Sequence, residues 1–140
     1  MIHTMTGDVA RVVKFMREHG CYLPLATDQK AIGLERDYEL VAGVVYEAYN
    51  GHHLWMHVAG KPGSRWLTRD YLRYCFVYPF CELGCSRVSG YIEASNHASR
   101  RFAEHLGFTL ETTLSGAASD GGDVLIYCMR RKDCRYVTLV

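Results

Sequence analysis

A glycine-rich segment in front of a helical pattern has the residue types for ligand chemistry. It reads GKPGSR, residues 60–65, and the helical pattern begins at Trp66. Such a loop exposes backbone N–H groups at the positive end of a helix dipole, which favours phosphate or another anion. Arg65 and Arg69 could add charge-assisted hydrogen bonds. Glycine turns also precede many helices that bind nothing, and neither GxxxxGK[ST] nor GxGxxG is present, so the segment predicts only a general anion site.

A second segment, ASNHASRRFAEHLGF at residues 94–108, predicts a helix with two defined ends. Ser95 or Asn96 can cap the N–H groups of its first turn, and Gly107 can adopt the left-handed conformation that ends it. An apolar stripe at spacing four comprises Ala98, Phe102 and Leu106. A well-capped helix of this kind does not by itself require a ligand.

Composition narrows the class of protein. The chain of 140 residues is 49% apolar and 22% charged, which favours one globular domain over residues 1–140. Its formal net charge of +1 gives no electrostatic support to nucleic-acid binding. The chain has no apolar run long enough to span a membrane and no signal-peptide pattern, so we expect a cytoplasmic protein. Six cysteines occur without a CxxC pair, which favours free thiols and no metal.

Hydrophobic periodicity and turn residues predict an α/β (α+β) chain with a mixed sheet. Asn50-Gly51 predicts a type I′ turn between two strands. Pro79 is expected to kink or end its helix, because it lacks an N–H group. The predicted helices are Asp8–His19, Trp66–Gly84 and the 94–108 segment. The predicted strands are Lys30–Arg36, Glu39–Tyr49, His52–Ala59, Cys85–Glu93, Phe108–Leu114 and Asp123–Arg131.

With these elements in place, the sequence resembles the GNAT family of N-acetyltransferases. The family segment N-x-x-[AS]-x-[RK]-x-x-E-x-x-G-F is matched by Asn96, Ser99, Arg101, Glu104, Gly107 and Phe108. The element order is also similar over nearly the whole chain, in a form most like the ribosomal-protein acetyltransferase branch and short phage or prophage members. The glycine-rich loop departs from the family's [QR]-x-x-G-x-[GA], which has a small residue where Arg65 or Trp66 stands.

The resemblance implies a GNAT-like mixed, splayed central sheet flanked by helices, with acetyl-CoA as co-substrate. Strands His52–Ala59 and Cys85–Glu93 would separate, and the pantetheine arm would pair with the backbone between them. Asn96 would reach the pantetheine or thioester, and Arg101 would approach the CoA phosphates. The backbone positions implied are Met56, His57 and Val58 for pantetheine, and Gly63, Ser64, Arg65, Trp66, Leu67 and Thr68 for pyrophosphate.

The family reaction is direct attack of an amine on the acetyl thioester in a ternary complex. It needs a donor for the oxyanion, expected from backbone N–H near His57 or Val58, and a proton for the departing thiolate. The tyrosine that many family members use for that proton is replaced here by Ala103. Ser99 and Tyr91 are the two substitutes, each with an ordinary structural explanation as well.

Candidates for the base lie on the strands beside the gap. His52 and His57 have opposite parity on one strand, so at most one faces the acceptor, and His57 is favoured. Glu47 and Glu93 are carboxylate alternatives that could act through water. If the acceptor amine has a low pKa, its positioning against the thioester could supply much of the rate without a base.

The acceptor stays open between a protein N-terminus, a lysine side chain and a small amine. Asp120 and Asp123, in the loop SGAASDGGD, could attract a cationic acceptor, although such loops are usually only solvated. A homodimer also stays open. The alternative to an enzyme is a catalytically silent acyl-CoA-binding or interaction module, which Ala103 favours, and a third interpretation is a structural domain without cofactor.

Overall fold

The computed structural model describes residues 3–21, 23 and 26–137, which form one seven-stranded sheet with three α-helices. The strands are β1 His3–Thr6, β2 Lys30–Arg36, β3 Glu39–Glu47, β4 His53–Gly60, β5 Arg87–Glu93, β6 Thr109–Leu114 and β7 Val124–Arg130. The helices are α1 Val9–Glu18, α2 Arg69–Val77 and α3 His97–Leu106. The predicted loop around Pro24 includes residues outside the described ones.

The sheet is mixed, as predicted. Its strand order is β1-β2-β3-β4-β5-β7-β6, and every neighbouring pair is antiparallel except β4 and β5. The crossover that carries α2 connects these two parallel strands, as parallel pairing requires. The single parallel junction therefore lies near the middle of the sheet.

Two local predictions were wrong. Strand β1 was not predicted, because four residues carry too little alternation to be recognised. The two-residue turn with positive φ at both positions joins β2 to β3 at Asp37 and Tyr38, with φ of 50° and 71°. At the β3–β4 hairpin only Gly51 of the Asn50-Gly51 pair has positive φ, and the Asn50 side chain instead accepts from the N–H groups of His52 and His53.

Helix α2 is shorter than the predicted Trp66–Gly84. The Thr68 hydroxyl accepts from Tyr71 N–H and caps the helix, which begins at Arg69. Pro79 ends the regular helix, and a wider π-type turn follows over Tyr78–Glu82. Because Pro79 cannot donate to the Cys75 carbonyl four residues earlier, that carbonyl needs another donor. The hydroxyl of Tyr46 on β3 supplies it at 2.5 Å.

Helix α3 confirms the predicted caps. The Asn96 side chain accepts from Ser99 N–H at 3.2 Å, and Gly107 ends the helix with φ of 109°. Helices α2 and α3 pack on one face of the sheet, over a core that includes Tyr46, Phe76 and Leu106. The sheet therefore has one thickly covered face.

Helix α1 covers part of the opposite face, and glycines on two strands allow its close approach. A Cβ atom at Gly43 would lie 2.7 Å from Val12 Cγ1, and one at Gly33 would lie 2.9 Å from Val12 Cγ2. Val12 is fully buried at this contact. The two glycines thus set the distance between α1 and the sheet.

We expect Gly43→Ala to lower the free energy of unfolding by about 1–3 kcal/mol, because the added methyl overpacks the Val12 contact. Urea unfolding followed by circular dichroism measures the change. Gly7→Ala is the control, since a Cβ there would meet its nearest atom only at 3.8 Å. A Gly43→Ala variant as stable as the Gly7→Ala control would show that α1 does not rest on this glycine.

Candidate active site

The parallel strands β4 and β5 separate soon after they meet. They pair only between His53–Trp55 and Arg87–Ser89, and no pair joins Met56–Gly60 to Gly90–Glu93. A Cβ atom at Gly90 would lie 3.2 Å from the Met56 carbonyl oxygen, so a glycine occupies the point of divergence. The splayed sheet implied by the family resemblance is therefore present.

A cleft of about 650 Å³ lies at this split. Helices α2 and α3 follow β4 and β5 respectively, so both begin near the carboxyl ends of the separated strands. That edge of parallel strands is where α/β sheets bind ligands. The lining includes Met56–Gly60 of β4, Gly90–Glu93 of β5, Trp66, five residues of α3 and its cap Asn96, and His19, Gly20, Cys21 and Leu23 after α1.

The predicted cofactor residues fall into two groups. Met56, His57, Val58, Trp66 and Asn96 line the cleft. Gly63, Ser64, Arg65, Leu67 and Thr68 lie in the loop before α2 and Arg101 lies on α3, and the cleft lining does not include these six.

The anion site predicted at the start of α2 is partly filled by the protein itself. The Thr68 hydroxyl accepts from Tyr71 N–H, and the Thr68 carbonyl accepts from Leu72 N–H. Thr68 N–H donates to the Trp66 carbonyl. Arg65 has a φ of 52°, and its carbonyl accepts from the Arg36 guanidinium. In the first helical turn, the N–H groups of Arg69 and Asp70 have no protein acceptor among the described residues.

Trp66 forms one wall of the cleft, and it is one of the two residues, with Arg65, that stand where the family pattern has a small residue. Its indole lies on Gly60, where an added Cβ would stand 1.9 Å from the ring. The centroid of the indole is 5.3 Å from that of the Phe102 ring on α3. Trp66 therefore bridges the end of β4 and α3, a contact that the sequence pattern did not predict.

His57 and Glu47 form a hydrogen-bonded pair across β4 and β3. His57 Nε2 lies 2.8 Å from Glu47 Oε1, and His57 is only 6% exposed. Burial lowers the pKa of His57, and the neighbouring Glu47 carboxylate partly opposes that change. Because a carboxylate only accepts, neutral His57 carries its proton on Nε2 and keeps the lone pair on Nδ1. The favoured base candidate and one of its alternatives thus act as a unit.

Tyr91 lies beside this pair on β5. Its ring centroid is 5.0 Å from that of His57, and the residue is 47% exposed in the cleft lining. Partial burial raises the pKa of Tyr91, and the nearby Glu47 carboxylate adds to the effect, so the phenol stays protonated at neutral pH. Ser99 also lines the cleft, from the first turn of α3. Both proton-donor candidates therefore border the same space.

Sequence reasoning identified Glu93 but missed its partner. Glu93 Oε1 accepts from Ser119 N–H at 3.0 Å and from the Ser119 hydroxyl at 2.7 Å. Asp120 and Asp123 accept from N–H groups within their own loop and do not line the cleft. None of the described residues that line the cleft is Lys or Arg, so its formal charge is acidic. No local pattern marked Ser119, because only the β6–β7 hairpin brings it to β5.

Within residues 3–21, 23 and 26–137, no group of three or more His, Cys, Asp or Glu side chains could hold a metal ion. No helix in the same part of the chain is long and apolar enough to cross a membrane.

The fold is that of the GNAT acetyltransferases, as comparison with solved structures shows. A chimera of the spermidine N-acetyltransferase SpeG from Vibrio cholerae and hSSAT superposes with a TM-score of 0.75 at 12% identity, covering 97% of this chain and 99% of that chain. SpeG from Vibrio cholerae in complex with manganese ions gives 0.74 at 12% identity, covering 93% of both chains. A protein provisionally described as an acetyltransferase gives 0.66 at 19% identity, covering 77% of this chain and 62% of that chain.

No protein-family model matches the sequence, and no curated protein matches it. At these identities the structural likeness defines the fold, while the chemistry must be argued from the site.

The lowered pKa of His57 predicts an acid-sensitive fold. In the window from about pH 6.5 down to the folded-state pKa, the unfolded chain binds more protons, so the free energy of unfolding falls as the pH falls. His57→Gln should reduce this slope. His53, whose pKa burial also lowers, should keep part of it. Urea unfolding at a series of pH values measures the slope, and an unchanged slope in His57→Gln would contradict the assignment.

Proposed function

We propose that the protein is an acetyl-CoA-dependent N-acetyltransferase that acts on a primary amine. The observation that carries the proposal is the pairing of neutral His57 with Glu47 at the edge of the β4–β5 split. A split sheet alone would suit a protein that only binds acyl-CoA. A buried base beside the split supports chemistry.

The residues present fit the co-substrate. Backbone groups of Met56–Gly60 and Gly90–Glu93 that face the gap have no strand partner, and an extended amide-bearing chain would satisfy them. The first turn of α2 offers the N–H groups of Arg69 and Asp70 to an anion. When bound, acetyl-CoA supplies an acetyl thioester whose C–S bond is exchanged for a C–N bond to the amine.

His57 would act as the general base in this reaction. Its Nδ1 can take the proton that the attacking amine loses, and Glu47 stabilises the imidazolium that results. The lowered pKa keeps the ring unprotonated at neutral pH and ready to accept. The backbone near His57 and Val58 remains the predicted oxyanion donor.

We propose Tyr91 as the donor of the proton that the leaving sulfur requires. Its phenol is protonated at neutral pH and lies beside His57, so a proton could pass from the tyrosine hydroxyl to sulfur and be restored from the base. Ser99 stays the second candidate. Either residue would replace the tyrosine that is absent at Ala103.

We expect purified protein to consume acetyl-CoA in the presence of amines, and His57→Gln to lower kcat about a hundredfold or more through loss of the base. Release of free thiol measures turnover, and the rise in thermal midpoint with acetyl-CoA measures binding. His52→Gln is the matched control, because His52 is exposed in the hairpin and does not line the cleft.

The outcomes separate the candidate functions. Binding of acetyl-CoA without turnover for any amine would favour the catalytically silent module. Absence of binding would rule out both. Equal turnover by His57→Gln and His52→Gln would leave an acetyltransferase whose base is not His57.

We further propose that the acceptor is a small cationic amine. The absence of Lys and Arg from the described cleft lining, together with Glu93 on the same strand face as Tyr91, supports a cationic group there. The structural neighbours named as spermidine N-acetyltransferases are consistent with this class. The ribosomal-protein branch, a homodimer and a cytoplasmic location stay predictions.

Glu93→Gln should reduce the preference for 1,4-diaminobutane over butylamine about tenfold, since one charge-assisted contact to the second ammonium is lost. The kcat/KM ratio for the two amines measures this preference. The glutamine oxygen can still accept from Ser119, so the loop contact is kept. Asp120→Asn makes the same charge change away from the lining and should leave the ratio unchanged. An unchanged ratio in Glu93→Gln would contradict the acceptor proposal.

A further inference from the structure

Glu47 occupies a position that the sheet alone does not hold firmly. It is the last residue of β3, and Ala48 after it adopts a φ of 57°, where the strand ladder ends. A carboxylate at a strand end can rotate unless side chains fix it. The bond from Glu47 to His57 therefore needs support from outside β3.

Two adjacent residues just before β2 supply that support. Gln29 Nε2 lies 3.1 Å from Glu47 Oε2, and the Asp28 carboxylate accepts from Ala48 N–H at 3.1 Å. Gln29 Oε1 accepts from Ala26 N–H at 2.9 Å. Because a backbone N–H can only donate, Gln29 must direct its NH2 group toward Glu47. Gln29 is 3% exposed, so water does not compete for these bonds.

We propose that Gln29 is a positioning residue for acetyl transfer, which holds the Glu47 carboxylate against His57 Nε2. Its catalytic meaning rests on the proposed function, whereas its effect on His57 does not. With Oε2 taken by Gln29, Oε1 stays directed at His57. Gln29 carries no charge, and its proposed effect on His57 passes through Glu47.

Further ionisable groups line the cleft beside His57. Tyr91 and Glu93 face the cleft from β5, and His19 and Cys21 face it from the end of α1 and the residue after the turn. Burial raises the pKa of Cys21 to about 11, and the pKa of Tyr91 is also raised. These two groups stay neutral while His57 titrates.

Two variants at position 29 test the proposal, one that removes the donor to Glu47 and one that keeps it. Gln29→Met keeps the length of the side chain but removes the donor, so Glu47 loosens and supports the imidazolium less. The pKa of His57 should then fall by about one pH unit. Gln29→Glu places a second carboxyl group at the 3.1 Å contact with Glu47, where the two cannot both ionise, so they share a proton and the donor to Glu47 is kept. The pKa of His57 should then fall less than in Gln29→Met.

NMR titration of the imidazole signals, with His57→Gln to assign the His57 signal, measures the pKa in the intact chain. Steady-state kinetics should show a lower kcat for Gln29→Met with an unchanged KM for acetyl-CoA. If Gln29→Met does not fold, Gln29→Leu removes the same donor and should lower the pKa of His57 in the same way.

A His57 pKa that is unchanged in the folded variant without the donor, or that falls equally in Gln29→Glu, would overturn the proposal even if kcat fell. Absence of acetyl transfer by the unmodified protein would instead contradict the proposed function. The NMR titration would still decide whether Gln29 holds the pair.

Discussion

Strands β4 and β5 stay paired for only three residues before they diverge, and the arrangement of the cleft depends on that divergence. Beyond the last paired residues, the backbone groups that face the gap lack the hydrogen-bond partners that a continuous sheet would give them. Unpaired groups cost free energy in a dry interior, but a bound ligand could pair with them. Gly90 keeps the strands close at the branch, and the two following helices begin at the open end. An open cleft between two strands with unpaired backbone edges follows from this geometry.

The proposed base and acid lie on the face of the sheet that α2 and α3 do not cover. Side chains alternate along a strand, so Met56 joins the core beneath these helices while His57 faces the other side, toward Tyr91 and Glu47. Burial lowers the pKa of His57 and raises that of Tyr91, which leaves a neutral base next to a neutral acid. Neither residue needs a charge of its own to accept or donate a proton, so the partly dry cleft favours both roles.

Features that depend on nearby residues could be predicted from the sequence. The caps of α3 at Asn96 and Gly107 are local, whereas strand parity could predict only that at most one of His52 and His57 faces the acceptor. Contacts between distant segments could not be predicted, because they depend on strand register. The pairing of Glu47 with His57 follows from the β3–β4 register, and the contact of Gln29 with Glu47 follows from the β2–β3 register. The Trp66–Gly60 contact also escaped prediction, since a family pattern with a small residue gives no place for an indole.

Tyr46 and Glu47 are neighbours on β3 and serve opposite sides of the sheet. The Tyr46 hydroxyl satisfies the carbonyl that Pro79 leaves open in α2, while Glu47 holds His57. A slip of β3 by one residue would exchange them, sending a carboxylate into the apolar layer and a phenol toward the histidine. The lengths of the two turns that flank β3 are therefore under selection together with the proposed chemistry, because they set the register of β3. Neither turn touches the reacting groups.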